Sequence, residues 1–438
     1  MADEWIDCKL EDLIDIKHGF AFQGEYFRDE PPGDMLLTPG NFAIGGGFKS
    51  DKYKFYNGPV PEEFILAKGD LLVTMTDLSK AADTLGFPAF VPQPLSTCKY
   101  LHNQRLGKVV IKPSAPITQK FLYYLFCTRE YRNEVLSSAT GTTVKHTSPS
   151  RIKQFKFKLP PISIQQAIAH ILYTLDNKIE LNRRMNETLE AMARILFKSW
   201  FVDFDPVRDK AAGRGTNFPK HIAELFPDTL VDSELGKIPE GWGTGVFGEV
   251  ANNSRLGIRA EDIVDGTPYF GLEHMPRRCI ALAEWGQSDE LESNKHVFEQ
   301  GDILFGKLRP YFHKVGVAPV TGICSTDILV IKPKSPEWFG FVLGHASSKE
   351  LVNYTDAAST GTKMPRTNWN DISKYQIALP DKRIAKAYNQ IVQPAVDRMV
   401  NAIHESRTLA SLRDTLLPKL ISGEIGVQNL TLLMKEEV

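Results

Sequence analysis

A chain of 438 residues that is 42% hydrophobic and 24% charged has room for roughly two to four domains, each with its own core, and is neither disordered nor collagen-like. With 52 Lys and Arg against 53 Asp and Glu, its formal charge of -1 excludes a single uniformly basic nucleic-acid-binding domain, though not local basic patches. The five widely separated cysteines, an acidic N-terminus and the lack of any apolar run of about 18 residues point to a reduced, soluble protein of the cytoplasm.

In chain order, residues 1–160 read as a mixed region with short strand-like runs at 70–75 and 108–112, rich in Leu, Val and Ile and bounded by Gly or Pro. A helix-like segment is expected over 119–137. Residues 161–205 form a long helix, in which Ile168, Leu172, Leu175, Ile179 and Asn182, then Leu189, Ala193, Leu196 and Trp200, recur at spacings of three and four. Its length exceeds that of an ordinary globular helix and suggests a coiled coil or a long packed hairpin. Residues 206–240, rich in Pro, Gly and charge, read as a linker with one helical turn at 221–226. A second mixed region follows over 241–380, with a helix at about 337–354. A second long helix spans 381–425, with Val392, Val396, Met399, Ile403, Leu409, Leu412 and Leu416 on its stripe. Pro394 predicts a kink or a late start there, and residues 426–438 read as a disordered tail.

The chain repeats itself. Lys68-Gly69-Asp70-Leu71-Leu72 returns as Gln300-Gly301-Asp302-Ile303-Leu304, an offset of 232. The Ile111-Lys112-Pro113 element returns as Ile331-Lys332-Pro333, the run from Thr140-Gly141-Thr142 to Thr147 returns as Thr360-Gly361-Thr362 to Thr367, and Leu159-Pro160 returns as Leu379-Pro380, all at an offset of 220. The first copy therefore holds 12 extra residues between the Gly-Asp and Ile-Lys-Pro elements, expected as a loop that includes the Pro-rich stretch 88–94. Ordered matches at a constant late offset indicate duplication. The fold class is α+β: two mixed α/β units in a pseudo-twofold repeat, separated by two long antiparallel coiled-coil helices. Two long helices at equivalent places in a repeat are natural partners for each other; the plainer alternative is packing of each within its own domain.

Local charge is more telling than the total. From Lys99 to Lys158 there are twelve Lys and Arg against two acidic residues, and from Gly301 to Pro380 nine against six. Such faces suit a polyanion, although a merely solvated basic face reads the same way. Catalytic patterns are missing: no Gly-x-x-x-x-Gly-Lys-Ser/Thr loop, no His-Glu-x-x-His, no Gly-x-Ser-x-Gly. Asp205-Pro206-Val207 lacks the second proline and the aromatic platform of an adenine methyltransferase, and Asp228, Glu234 and Lys237 have the wrong spacing for a nuclease centre. The chain is expected to catalyse nothing by itself and to bind neither metal nor cofactor.

Four further runs carry a resemblance: Leu159-Pro160-Pro161-Ile162-Ser163-Ile164-Gln165-Gln166-Ala167-Ile168-Ala169, the aromatic run from Leu196 to Phe204, the run from Ser233 to Trp242, and the run from Leu412 to Glu424. With the repeat, they cover about residues 1–425, and in this order the chain resembles a specificity subunit of a type I restriction-modification system. Leu379-Pro380-Asp381-Lys382 departs from the double proline of the first copy and lacks the Gln-Gln-Ala-Ile continuation.

The resemblance implies two target recognition domains, each reading one half of a split sequence in double-stranded DNA. The paired helices would set the spacer between the halves, as a stiff rod rising about 1.5 Å per residue can. It also implies docking of two modification subunits, which hold S-adenosylmethionine and methylate adenine, and of restriction subunits that use ATP and Mg²⁺. For the first half-site the favoured DNA-binding candidates are Lys49, Lys52, Lys80, Lys145 and His146; for the second they are Arg255, Arg259, Lys307, Arg309, Lys363 and Arg366. Thr143, which aligns with Lys363 in the Thr-Gly-Thr element, is a further candidate where the glycine permits a tight turn beside a phosphate. Lys307-Leu308-Arg309 follows a predicted strand, where a loop can project into a groove. Trp200, Phe201 and Phe204 crowd the end of the first long helix and are candidates for seating the modification subunit. A reading from another class, a protein-interaction scaffold with incidental basic faces, predicts DNA binding that stays non-specific when a methyltransferase is added.

Overall fold

The computed structural model describes residues 5–50, 53–79, 81–94, 97–215, 218–289, 293–359 and 364–427. The chain divides into two compact units, residues 1–177 with 410–438, and residues 178–409.

In the first unit, a four-stranded antiparallel sheet has the order Ile14–His18, Leu106–Ile111, Leu71–Thr74, Pro88–Phe90. The continuous apolar run at its centre follows from burial on both faces. Leu71 and Val73 enter one core with helix Gln119–Phe126, while Leu72 enters another with Ala89, Tyr100 and Leu106. A five-stranded sheet follows, ordered Phe27–Arg28, Lys54–Tyr56, Asp34–Leu37, Tyr100–His102, Ile65–Leu66, with Tyr100–His102 parallel to Asp34–Leu37. Of the proline-rich stretch 88–94 expected in a loop, Pro88–Phe90 is instead an edge strand paired with Leu71–Val73, while 91–94 has no regular structure; a proline is tolerated in the strand because an edge has a side without ladder partners.

The second unit repeats the plan. Its four-stranded sheet has the order Ala251–Ser254, Ile328–Pro333, Ile303–Gly306, Val315–Val317. Ile303 and Phe305 face one core, and Leu304 faces the other. Its five-stranded sheet again holds one parallel pair, Tyr269 with Ile323 and Phe270 with Cys324, but ends on different edge strands from its counterpart.

Where one helix was expected over 119–137 there are two, Gln119–Phe126 and Arg129–Ser137. The Thr128 hydroxyl accepts a hydrogen bond from Tyr131 N at 3.4 Å and so starts a new helix. Ser348 does the same in the second copy, accepting from Leu351 N at 3.1 Å between Phe339–Ala346 and Lys349–Ala357.

The long helices are Ile162–Phe201 and Lys382–Ser422. The second continues through Pro394; both Pro394 and Gln390, whose carbonyl has lost its donor, are exposed, so no unsatisfied backbone group is buried there. In the first unit, Ile168, Ala169 and Leu172 share a core with Leu417, Leu420 and Ile421, and Arg413 Nη1 donates to Asp176 Oδ1 at 2.8 Å. In the second, Asn182 Nδ2 donates to Glu405 Oε2 at 2.8 Å, and the Tyr388 hydroxyl donates to the Ala193 carbonyl at 3.0 Å.

Residues 206–240 are not a free linker. They take in most of the helix Asp205–Ala211, the short helix Lys220–Ala223 where one turn was expected over 221–226, and an antiparallel hairpin, Leu230–Ser233 with Gly236–Pro239. Val207, Phe226 and Ile238 are buried in the core of the second unit. In the tail, Val427 packs into the core of the first unit; the rest of the expected disordered segment, from 428 on, lies outside the described residues.

Candidate nucleic-acid interface

In each unit, the end of a central strand is clasped by the stretch that follows the Thr-Gly-Thr element. In the first, Lys145 and His146 pair antiparallel with Asp77 and Thr76, and Thr147 N donates to the Met75 carbonyl at 2.9 Å. Thr140 and His146 close the hairpin by exchanging backbone hydrogen bonds. Gly141 is required at its tip: its φ is +96°, and a Cβ there would lie 2.0 Å from the Val144 carbonyl oxygen. In the second unit, Leu308 bridges to Arg366, Arg309 N donates to the Pro365 carbonyl at 2.7 Å, and Thr367 N donates to the Lys307 carbonyl at 3.1 Å. The sequence separates Lys307 and Arg309 from Arg366 by more than fifty residues; the fold makes them neighbours.

The electrostatics of the two clasps differ. Asp77 is buried beneath the first. Burial pushes its carboxyl up, but hydrogen bonds from Ser79 N at 2.7 Å, Thr84 N at 2.5 Å and Thr84 Oγ1 at 2.7 Å outweigh that and hold it below the usual carboxylate range. Thr76 Oγ1 and His146 Nδ1 share a hydrogen bond of 3.1 Å. In the second clasp the Arg366 guanidinium grips Asp327 through Nε to Oδ1 at 3.2 Å and Nη2 to Oδ2 at 3.4 Å. Arg309 stands in the left-handed region at φ 51°, with its guanidinium 5.8 Å from the Phe312 ring centre.

Lys49 is exposed and lines a concavity of about 640 Å³ in the first unit, together with Lys54, Gln104 and Arg105. Thr143 is exposed on the hairpin. Arg255 and Arg259 are exposed on a separate loop, where Arg259 pairs with Glu261 at 3.3 Å. Lys52, Lys80 and Lys363 lie outside the described residues. Lys54, Gln104 and Arg105 escaped sequence reasoning, because only strand pairing brings the turn at 103–106 beside the clasp.

Trp200, Phe201 and Phe204 do not form a docking face. They are 0%, 4% and 7% exposed, packed against Phe226, Trp242, Phe341 and Tyr388 inside the second unit. Aromatic residues crowd this helix end because the segment after it folds back over them. The most exposed large apolar residues of this helix are Leu181, Met192 and Ile195, each at least 60% exposed, and their spacing puts them on one face. Among the described residues no group of His, Cys, Asp and Glu is placed to hold a metal ion, and no helix is long and apolar enough to cross a membrane.

A family profile described as "Type I restriction modification DNA specificity domain" matches residues 2–191. The chain is 26% identical to the type I restriction enzyme MjaIX specificity subunit of Methanocaldococcus jannaschii, over 84% of this chain and 80% of that one. It is 29% identical to the HindI specificity subunit of Haemophilus influenzae, over 72% of this chain and 80% of that one. The crystal structure of the type I restriction-modification S subunit from M. genitalium has the same fold, with a TM-score of 0.54, 15% identity and 96% of both chains covered.

Proposed function

Because the chain is homologous to several type I restriction-modification specificity subunits, we infer that it is the non-catalytic DNA-recognition subunit of such a complex, docking methyltransferase and restriction subunits. The observation that supports this reading best is the repeated clasp: in each unit the stretch after the Thr-Gly-Thr element pairs with the end of a central strand, with basic and polar side chains around it. Two such frames suit a bipartite target, one half-site per unit, with residues 1–160 as the first target recognition domain and 241–380 as the second. Phosphate contacts would set position, and side chains on base edges would set sequence. Lys49, Thr143, Lys145 and His146 serve the first half, and Arg255, Arg259, Lys307, Arg309 and Arg366 the second; Lys52, Lys80 and Lys363 belong to the same proposal on sequence grounds.

Two modification subunits supply S-adenosylmethionine chemistry, and restriction subunits supply ATP- and Mg²⁺-dependent cutting; this chain supplies the address, in the cytoplasm. The exposed Leu181, Met192 and Ile195 replace the aromatic cluster as the seat of a modification subunit. Mapping adenine methylation on a random-sequence DNA pool, with this chain co-purified with the neighbouring methyltransferase, tests the reading. A split motif with a fixed spacer is expected, and exchanging residues 1–160 for those of a relative should change one half alone. A folded, cofactor-bound complex that methylates nothing, or methylates an unsplit motif, overturns it.

A further inference from the structure

The strands Tyr100–His102 and Leu106–Ile111 are joined by a turn whose backbone is fixed at every step. Asn103 Oδ1 accepts from Arg105 N at 2.9 Å, and its carbonyl accepts from Leu106 N at 3.0 Å. Gln104 N donates to the Phe20 carbonyl at 3.0 Å, and the Arg105 carbonyl accepts from Met75 N at 2.9 Å, which ties the turn to the clasp. Gly19 admits this approach, since a Cβ there would lie 2.2 Å from the Asn103 carbonyl oxygen. The side chains of Gln104 and Arg105 are all that the turn leaves exposed, and neither has a hydrogen-bond or ion-pair partner among the described residues.

The second unit builds the same turn from other residues. Ser325 Oγ accepts from Asp327 N at 3.2 Å, the Ser325 carbonyl accepts from Ile328 N at 2.9 Å, and the Asp327 carbonyl accepts from Lys307 N at 2.9 Å. The frame is kept while the tip changes from Gln104-Arg105 to Thr326-Asp327. A turn that served only to connect strands would need no pair of long, unpartnered donors. Gln and Arg are among the side chains whose paired hydrogen-bonding groups match the major-groove edges of adenine and guanine. Holding them on a fixed backbone removes much of the ordering cost of using them. Lys49 and Lys54 flank the tip across the same concavity, where they can hold phosphates.

We propose that the Asn103-anchored turn is a base-reading head of the first unit, with Arg105 on a guanine and Gln104 on a neighbouring base, flanked by Lys49 and Lys54 on the DNA backbone. The proposal rests on the function inferred above and names the side chains that carry out half of it.

The test maps methylation by the complete complex of this chain and its methyltransferase, as wild type and as Arg105→Ala, Arg105→Lys and Gln104→Ala. Arg105→Ala should relax one position of one half-site, lowering its preference there roughly tenfold or more. Arg105→Lys should relax the same position, because it keeps the charge and loses the planar fork. Gln104→Ala should relax an adjacent position, with the other half-site intact throughout. Unchanged motifs overturn the proposal, and so does a uniform drop in methylation that Arg105→Lys rescues, the pattern of a phosphate contact. A wild-type complex that yields no split motif fails one step earlier and overturns the functional reading itself.

Discussion

The two units solve one folding problem with different side chains, and the differences are confined. At the strand end, Asp77 of the first unit corresponds to Arg309 of the second; at the turn tip, Arg105 corresponds to Asp327. The charges have changed places while the backbone hydrogen bonds of the strand end and of the turn are the same. In the interior, Asp176 and Arg413 form an ion pair across the long helices of the first unit, and the residues 220 positions away in the repeat, Val396 and Ala193, belong to an apolar core. Leu125, buried in the first unit, answers to His345, buried in the second. Backbone pairing and apolar volume therefore define the fold, and charge at these positions is free to serve something else.

Removing the core on one side alone should have the largest effect. Trp200 is fully buried in the second unit, and its counterpart Leu420 is fully buried in the first. Trp200→Ala should cost about 3–5 kcal/mol and Leu420→Ala about 2–5 kcal/mol, each lowering the melting transition of its own unit in calorimetry. A Trp200→Ala protein that melts like wild type would mean that the aromatic cluster is not a core. Asp176→Ala removes the acceptor of the Tyr124 hydroxyl, which donates to it at 2.7 Å, and the cross-helix partner of Arg413, leaving that guanidinium only Asp414. A loss of about 2 kcal/mol is expected in denaturant titration. Adding Arg413→Ala, with Asp176→Val to copy the second unit, should restore most of it.

Smaller effects concern DNA and protons. Lys307→Ala or Arg309→Ala should weaken DNA binding and cost about 1–3 kcal/mol of discrimination in the second half-site alone, read by competition binding with single-base variants. Unchanged affinity and specificity would remove both residues from the site. Burial without a partner for Nε2 pushes the His345 imidazole down to about 3. Between pH 6.5 and about 3, the unfolded chain takes up a proton that the folded unit refuses, so stability is complete above about 6.5 and falls with acidification. At pH 5.5 the loss should be about 1 kcal/mol, and His345→Leu, the residue type of the first unit, should flatten that limb of the stability curve.

The repeat, the strands after each Gly-Asp and both long helices were legible because apolar period and turn residues are local signals. The breaks at Thr128 and Ser348 were written in their hydroxyls but hidden inside continuous helical periodicity. Trp200, Phe201 and Phe204 look the same in sequence whether the chain or a partner covers them; Phe226 and Ile238, which help to cover them, lie in a stretch whose Pro and Gly content suggested a free linker. Lys307 and Arg366 could each be chosen from sequence, yet their adjacency could not. Arg105 carried no mark among the twelve basic residues around it.

The assignment of residues 410–427 to the first unit has a consequence for synthesis. A ribosome releases residues 1–177 before the second unit, but Leu417, Leu420 and Ile421, which complete the first unit's core, emerge only after all of residues 178–409. Residues 178–409 are all available sooner. The first unit is thus finished after the second, and a nascent chain, or one cut before residue 410, carries it with an open apolar seam, a target for chaperones and proteases.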